Sequence, residues 1–329
     1  MMPLDFHRAT SVADAVATVA ARANAVYLGG GTNLVDHMKL GIVAPAVVVD
    51  VTHLPLGDVE SLPDGGVRIG AEVRNSDLAA HPLVRSTYPM LARALLSAAS
   101  GQLRNLATTA GNLLQRTRCV YFQDLTTPCN KRVPGTGCSA IGGYLRYHAI
   151  LGASEHCVAV HPSDMAVAMA ALDAQVVYVD SSGEHRLALA QFYRLPEDRP
   201  DRDTTLPAGA LITAVEIPRP PAGARSTYLK VRDRASYAFA LTSVAAEVVV
   251  AGGVVQSTRI ALGGVAHQPW RATRLEEALT GEPAAEEIFR GAADAELRYA
   301  MPLAGNAFKV DLTRRAIVAT LTSVTRGHQ

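Results

Sequence analysis

The four cysteines are the residues whose type and spacing point most directly to chemistry. Cys119, Cys129, Cys138 and Cys157 are the only cysteines in 329 residues, with gaps of nine, eight and eighteen residues between them. The close Cys-x-x-Cys pairs of zinc sites and the tight run of ferredoxins are both missing. Four thiolates on separate loops are nevertheless a full ligand set for one 4Fe-4S cluster. Spacing alone therefore favours a metal site, with disulfides or four metal-free cysteines as the alternatives.

Basic residues surround the first two cysteines, with Asp124 as the single acid among them. The basic residues are Arg116, Arg118, Lys131 and Arg132. Cations stabilise thiolates, and they also favour the extra negative charge of a reduced cluster. The local charge is therefore consistent with metal ligation.

A glycine turn, Leu28-Gly-Gly-Gly-Thr-Asn-Leu34, follows a short apolar run that predicts a buried strand. Three glycines leave no Cβ to block a ligand, so backbone N–H groups can converge on an anion. The pattern is neither a Gly-x-Gly-x-x-Gly fingerprint nor a P-loop. A tight turn without a ligand is the alternative.

Polar turn residues bracket the cysteine segment, and a basic strand follows later. Asn112 and Asp164 stand at the two ends, where each could also be an ordinary turn residue. In Tyr228-Leu-Lys-Val-Arg-Asp-Arg234, the alternate positions Lys230, Arg232 and Arg234 share one strand face. That face is either part of a site or a solvated edge.

The surrounding elements predict an α+β chain of two domains. Alternating apolar residues predict strands at 47–50, 67–73 and 211–217, a hairpin over 175–189, and a helix from Leu83 to Ala99. Pro218-Arg-Pro-Pro-Ala-Gly223 is the clearest linker. Beyond it, strands at 227–231, 241–250 and 257–262 predict a three-stranded antiparallel sheet with helices packed on it, and Gly252-Gly253 predicts a hairpin turn.

Composition excludes several classes of partner. The formal net charge is +1, and basic residues form no long run, which argues against a nucleic-acid or membrane-surface partner. No apolar run is long enough to span a bilayer. The N-terminal residues show no apolar signal core, so we expect no export signal of the chain's own.

Several motifs together resemble one family. Gly-Gly-Gly-Thr-Asn-Leu, Thr-Ala-Gly-Asn, Pro-Ser-Asp and Lys-Val-Arg-Asp-Arg-Ala-Ser occur in the expected order, and the likeness covers essentially the whole length. The chain resembles the FAD-binding medium subunit of the xanthine dehydrogenase, or molybdenum hydroxylase, family. Arg-Thr-Arg-Cys-Val-Tyr-Phe, Pro-Cys-Asn-Lys-Arg and Pro-Gly-Thr-Gly-Cys resemble the iron–sulfur insert in the flavin subunit of bacterial periplasmic aldehyde oxidoreductases.

The resemblance implies a two-part FAD-binding domain of the vanillyl-alcohol-oxidase or CO-dehydrogenase-flavoprotein type over residues 1–221, with a 4Fe-4S insert at about 113–160. It also implies a small C-terminal α+β domain over residues 222–329. The implied cluster ligands are Cys119, Cys129, Cys138 and Cys157. The implied FAD-binding residues are Val26, Tyr27, Leu28, Gly29, Gly30, Gly31, Thr32, Asn33, Leu34, Thr108, Gly111, Asn112, Asp164 and Lys230. The Ser236-Tyr-Ala-Phe239 stretch departs from the acid that many members have there, and Tyr237 is a candidate neighbour of the flavin ring.

The resemblance further implies a heterotrimer and an electron-transfer role. A large subunit with a molybdenum cofactor would oxidise an aldehyde, and a small subunit with two 2Fe-2S clusters would pass electrons to FAD on this chain and onward to an external acceptor. The alternatives are the flavin subunit of a related aromatic-thioester reductase and a zinc-stapled scaffold without flavin. The compartment would be the bacterial cytoplasm, or the periplasm through co-export with a signal-bearing partner.

Overall fold

A three-stranded parallel sheet begins the fold in the computed structural model, which describes residues 3–326. Its strands are β1 (Asp5–Arg8), β2 (Ala25–Leu28) and β3 (Val47–Asp50), in the order β1-β3-β2, and it is accompanied by α1 (Val12–Ala21) and α2 (Leu34–Lys39). The central strand β3 is buried along its whole length. The glycine turn joins β2 to α2, so its position is fixed by this sheet.

A five-stranded antiparallel sheet forms the second part, in the order β4-β5-β8-β6-β7. Its strands are β4 (Val59–Ser61), β5 (Val67–Gly70), β6 (Gln175–Asp180), β7 (Gly183–Ala188) and β8 (Leu211–Ile217). The helices of this stretch are α3 (Asn75–Ala80), α4 (Pro82–Thr87), α5 (Pro89–Ser97), α6 (Gly101–Arg104), α7 (Thr109–Leu113), α8 (Val120–Gln123), α9 (Asp164–Ala171) and α10 (Leu189–Phe192). The predicted β6–β7 hairpin is confirmed.

The helix predicted from Leu83 to Ala99 is two helices, so that prediction was wrong. The helix α4 ends at Thr87, the backbone of the next residue, Tyr88 (φ −126°, ψ 55°), has left the helical region, and α5 begins at Pro89. The proline ring disfavours the α conformation in the residue before it. The apolar periodicity continues across the break because both helices face the same core.

The C-terminal domain is a four-stranded antiparallel sheet covered by three helices. The strands are β9 (Arg225–Val231), β10 (Thr242–Ala251), β11 (Val254–Gly263) and β12 (Trp270–Arg271), and the helices are α11 (Thr273–Leu279), α12 (Glu286–Leu297) and α13 (Phe308–Arg326). The three predicted strands are therefore joined by a short fourth strand at the edge. Gly252 and Gly253, both with positive φ, make the predicted hairpin turn.

Both faces of the C-terminal sheet are buried. Val244 and Val248 of β10 pack into the core that α11, α12 and α13 share, whereas Ala245 joins the core of the second sheet with α5 and α9. Because strand side chains alternate between faces, β10 connects the two cores. This packing places β9 against α5, and the side chains of Tyr228 and Lys230 on β9 reach Asp164 at the start of α9.

The cysteine segment contains one short helix, α8, among the described residues and is otherwise turns. Its small core is Ala140, Leu145 and Val158. The backbone N–H groups of Ile150 and Leu151 both donate to the carbonyl oxygen of Val265 in the C-terminal domain, at 2.9 and 3.0 Å. The segment is therefore tied to the second domain as well as to the first.

Candidate functional site

The glycine turn lies against the backbone that leads into the Thr-Thr-Ala-Gly-Asn turn. A Cβ on Gly30 would lie 2.7 Å from the carbonyl carbon of Leu106 and closer still to its oxygen. Gly31 has φ +71°, a conformation that side chains disfavour. Gly30 therefore allows the two turns to approach each other, and a side chain there would push them apart.

The predicted residues of the glycine turn lie partly in β2 and partly in the turn that follows this strand. Val26, Tyr27 and Leu28 form β2, and the Tyr27 hydroxyl donates to the carbonyl oxygen of Gly209 at 2.6 Å. The Tyr27 side chain is therefore engaged in packing. The Asn33 side-chain oxygen accepts from the backbone N–H of Arg116 at 3.0 Å, which ties the turn to the cysteine segment.

The second turn is largely buried, except at Gly111. Thr108 is 2% exposed, and its hydroxyl oxygen accepts from the N–H of Gly111 at 3.3 Å, capping α7. Asn112 is also buried, and its side-chain oxygen accepts from the Ser163 hydroxyl at 2.5 Å. That bond joins the two ends of the cysteine segment directly.

Asp164 begins α9 and forms a buried ion pair with Lys230 on β9. Lys230 Nζ lies 2.7 Å from Asp164 Oδ2, and the side chains are 3% and 5% exposed. The Tyr228 hydroxyl donates to the other carboxylate oxygen of Asp164 at 2.5 Å. Burial of Tyr228 and the nearby negative charge of Asp164 both raise the pKa of Tyr228, well above its usual value. Lys230 and Arg232 both donate to the carbonyl oxygen of Ser97, at 3.1 and 3.0 Å. The strand ends at Val231, so Arg232 and Arg234 both lie beyond it, and the prediction that they share a strand face with Lys230 was wrong. Lys230 and Arg232 are therefore engaged in contacts within the protein and do not form a solvated edge.

Glu72 lies between the two turns and carries no signal in the sequence. A Cβ on Gly29 would lie 2.9 Å from Glu72 Oε1 and 3.0 Å from Thr108 Oγ1, so the carboxylate faces both turns. Burial raises the pKa of Glu72 to about 7, with Arg74 acting in the opposite direction. A carboxyl group that is protonated near neutrality can donate a hydrogen bond to an anionic ligand.

All four cysteines line one small cavity, together with Phe122, Lys131 and their neighbours. They form no disulfide. Cys129 and Cys157 are buried, and Cys119 and Cys138 are half-buried. Within residues 3–326, no group of three or more His, Cys, Asp and Glu side chains is arranged to hold a metal ion. The cysteines therefore share a cavity, and two of them, Cys138 and Cys157, are hydrogen-bonded to each other.

Backbone N–H groups point at these sulfur atoms. Burial raises the pKa of Cys119 to about 11, while hydrogen bonds from the N–H groups of Phe122 and Tyr121 lower it. The hydrogen bond from the Cys157 thiol lowers the pKa of Cys138 to about 6. The same hydrogen bond, together with burial, raises the pKa of Cys157. Amide donors around thiolates are the environment that an iron–sulfur cluster requires, so this donor set fits such a group.

The basic residues around the cysteines mostly hold the segment together. Lys131 is 1% exposed and pairs with Asp203, which also accepts from Arg116 Nε at 2.6 Å. Arg132 donates to the carbonyl oxygens of residues 121, 122 and 127. Arg118 lies over the ring of Phe239, 5.5 Å from its centroid. Only Lys131 acts on a thiol, by lowering the pKa of Cys157.

A larger groove, of about 790 Å³, lies between α12 and α13. It shares no residue with the turns or the cysteine cavity, and its arginines pair with neighbouring acids, such as Arg290 with Glu286. We therefore assign the site to the turns and the cysteines. No helix within residues 3–326 is long and apolar enough to cross a bilayer.

Comparison with known proteins gives matches over nearly the whole chain. A family described as FAD binding domain in molybdopterin dehydrogenase matches residues 2–220, and the CO dehydrogenase flavoprotein C-terminal domain matches residues 227–324. The aldehyde oxidoreductase FAD-binding subunit PaoB of Escherichia coli (strain K12) is 49% identical over 98% of both chains. The glyceraldehyde dehydrogenase medium chain of Sulfolobus acidocaldarius is 26% identical over 88% of this chain and 86% of that one. The structure of carbon monoxide dehydrogenase from Hydrogenophaga pseudoflava shares the fold, with TM-score 0.77 and 24% identity over 99% of each chain.

Proposed function

The chain belongs to the FAD-binding medium subunits of the molybdenum hydroxylase family, and from this premise we propose that it is the electron-transfer subunit of a heterotrimeric aldehyde oxidoreductase. The proposal rests on pairwise contacts among four segments that are distant in sequence. The glycine turn meets Leu106, Asn112 meets Ser163, and Asp164 meets Lys230. The match to an FAD-binding domain also disfavours a scaffold without flavin.

Each segment has a separate task in holding FAD. Residues 26–34 would take the pyrophosphate on their backbone N–H groups, since a turn of three glycines carries no side chain to keep an anion away from the backbone. Thr108, Gly111 and Asn112 would form the second contact. Asp164 would face the ribityl chain or the ring, and Lys230 would lie by the ring carbonyls, where a cation stabilises negative charge. Bound FAD supplies the exchange between two-electron and one-electron carriers.

The four cysteines would hold a 4Fe-4S cluster. Thiolates around a single tetrahedral zinc ion lie about 3.8 Å apart, because each Zn–S bond is about 2.3 Å long. A four-iron cluster spaces its thiolates more widely, because each one binds a different iron. Four cysteines that line a common cavity provide the number of thiolates that such a cluster needs, which supports this assignment. So do the amide donors at Cys119, Cys138 and Cys157.

The proposed partners are a large subunit with the molybdenum cofactor and a small subunit with two 2Fe-2S clusters. The named relatives are an aldehyde oxidoreductase subunit and a medium chain, which is consistent with a multi-subunit enzyme. Aldehyde oxidation would take place on the large subunit. This chain would receive the electrons and release them to an external acceptor, so on its own it should leave an aldehyde unchanged.

Rapid mixing of an aldehyde with the assembled enzyme and with the isolated chain tests this division of labour. We expect flavin absorbance near 450 nm to bleach within about a second in the complex, because typical turnover is about 10 per second. The isolated chain, loaded with FAD, should keep its flavin oxidised under the same conditions. Bleaching in the isolated chain, or none in a complex that holds FAD and molybdenum, would contradict the proposal.

A further inference from the structure

His148 lies in the cysteine segment outside the proposed ligand set, yet its ring contacts one of the ligands. His148 Nε2 is 3.2 Å from Cys119 Sγ. The side chain is 4% exposed, and Nδ1 has no hydrogen-bond partner within the described residues. A thiolate can only accept a hydrogen bond, so the proton belongs on Nε2 and leaves Nδ1 as a bare lone pair.

The C-terminal domain fixes the position of His148. Lys309 Nζ donates to the His148 carbonyl oxygen at 2.8 Å, and Asn306 Nδ2 donates to the carbonyl oxygen of Ala149 at 2.9 Å. Lys309 and Asn306 are fully buried at the start of α13. The His148 N–H donates to the carbonyl oxygen of Leu145 at 2.9 Å. These bonds fix the backbone of His148, and the packing around a side chain that is only 4% exposed restricts rotation of the imidazole.

We propose that His148 is a positioning residue that raises the reduction potential of the cluster by donating an N–H···S hydrogen bond to Cys119. The inference rests on the proposed function, since it requires the four cysteines to hold iron. Reduction adds negative charge to the cluster and its sulfur ligands, so a donor at sulfur stabilises the reduced state more than the oxidised state. A hydrogen bond to a charged group changes an equilibrium by about tenfold, which is the expected change in the ratio of oxidised to reduced cluster at a fixed applied potential.

A redox titration of the iron-loaded chain, followed by electron paramagnetic resonance, tests the inference. His148→Phe keeps a ring but removes the donor, whereas His148→Gln keeps an N–H. The matched control is His156→Gln, because His156 is in the same segment, is adjacent to Cys157 and has a side chain 43% exposed. We expect His148→Phe to shift the midpoint to a more negative potential, which corresponds to a change of about tenfold in the ratio of oxidised to reduced cluster at a fixed potential. The midpoints of His148→Gln and of the control should stay near that of wild type.

Two results separate this inference from its premise. Iron-loaded His148→Phe at the wild-type potential would overturn the role of His148 and leave the cluster assignment standing. A wild-type chain without iron would overturn both. If His148→Phe fails to retain iron, the reduced wild-type cluster decides the matter. We expect a hyperfine coupling to histidine nitrogen after ¹⁵N labelling, and its absence would overturn the inference.

Discussion

Replacing Gly30 with alanine should separate the two turns that we assign to FAD. The new Cβ would lie 2.7 Å from the Leu106 carbonyl carbon, below the 3.0 Å that real Cβ atoms keep, and the obstacle is backbone that cannot rotate away. Overpacking of this kind costs about 2–3 kcal/mol. If FAD binding must bring the two turns back together, the favourable free energy of FAD binding is reduced by the same amount. At 1.4 kcal/mol per factor of ten, FAD should bind about 30- to 140-fold more weakly.

The assay is titration of the flavin-free chain with FAD, followed by quenching of flavin fluorescence, together with the midpoint of chemical unfolding. Gly101→Ala is the matched control, because it lies a few residues from Leu106 and a Cβ there would meet nothing within 4 Å. We expect the control to bind FAD like wild type. Wild-type affinity in Gly30→Ala would refute the close approach of the two turns as the basis of the site.

Three further predictions concern the rest of the site. Lys230→Met leaves Asp164 as a buried, unpaired charge and should lower the free energy of unfolding, measured with urea, by about 3–5 kcal/mol. A loss below about 1 kcal/mol would show that the pair is not buried in solution. Burial raises the pKa of Glu72 to about 7 from 4.5, so the unfolded chain releases this proton at lower pH than the folded chain does, and the free energy of unfolding should fall as pH rises between those values. Glu72→Gln should flatten that part of the plot of unfolding free energy against pH. An unchanged slope would contradict the assignment. Cys129→Ser should remove cluster iron while FAD stays partly bound, and full iron content in the variant would contradict the ligand assignment.

Local patterns in the sequence predict the elements better than their ends. The two-residue turn at Gly252-Gly253 was predictable because both positions need positive φ, and the structure has it. The break at Pro89 was missed because apolar spacing continues through it, although the proline itself is a local signal for a boundary. The short strand β12 has only two residues and exists through its pairing with β11. No local pattern could predict it.

The candidate site depends on contacts between distant residues, which explains what the sequence could and could not predict. Motif order suggested Asn112 and Asp164, but the Asn112–Ser163 bond spans 51 positions and is visible only in the fold. The charge of Lys131 was expected to act on thiolates. The structure instead pairs Lys131 mainly with Asp203, a loop acid with no motif around it. Glu72 became notable only through its burial.

We propose that this chain carries both FAD and a cluster of its own. The content of FAD, iron and acid-labile sulfide per chain tests this, after purification together with native partners and anaerobic separation of the subunits. We expect one FAD, four iron atoms and four sulfides on this chain. A chain that retains FAD without iron, or holds zinc in place of iron, would contradict it.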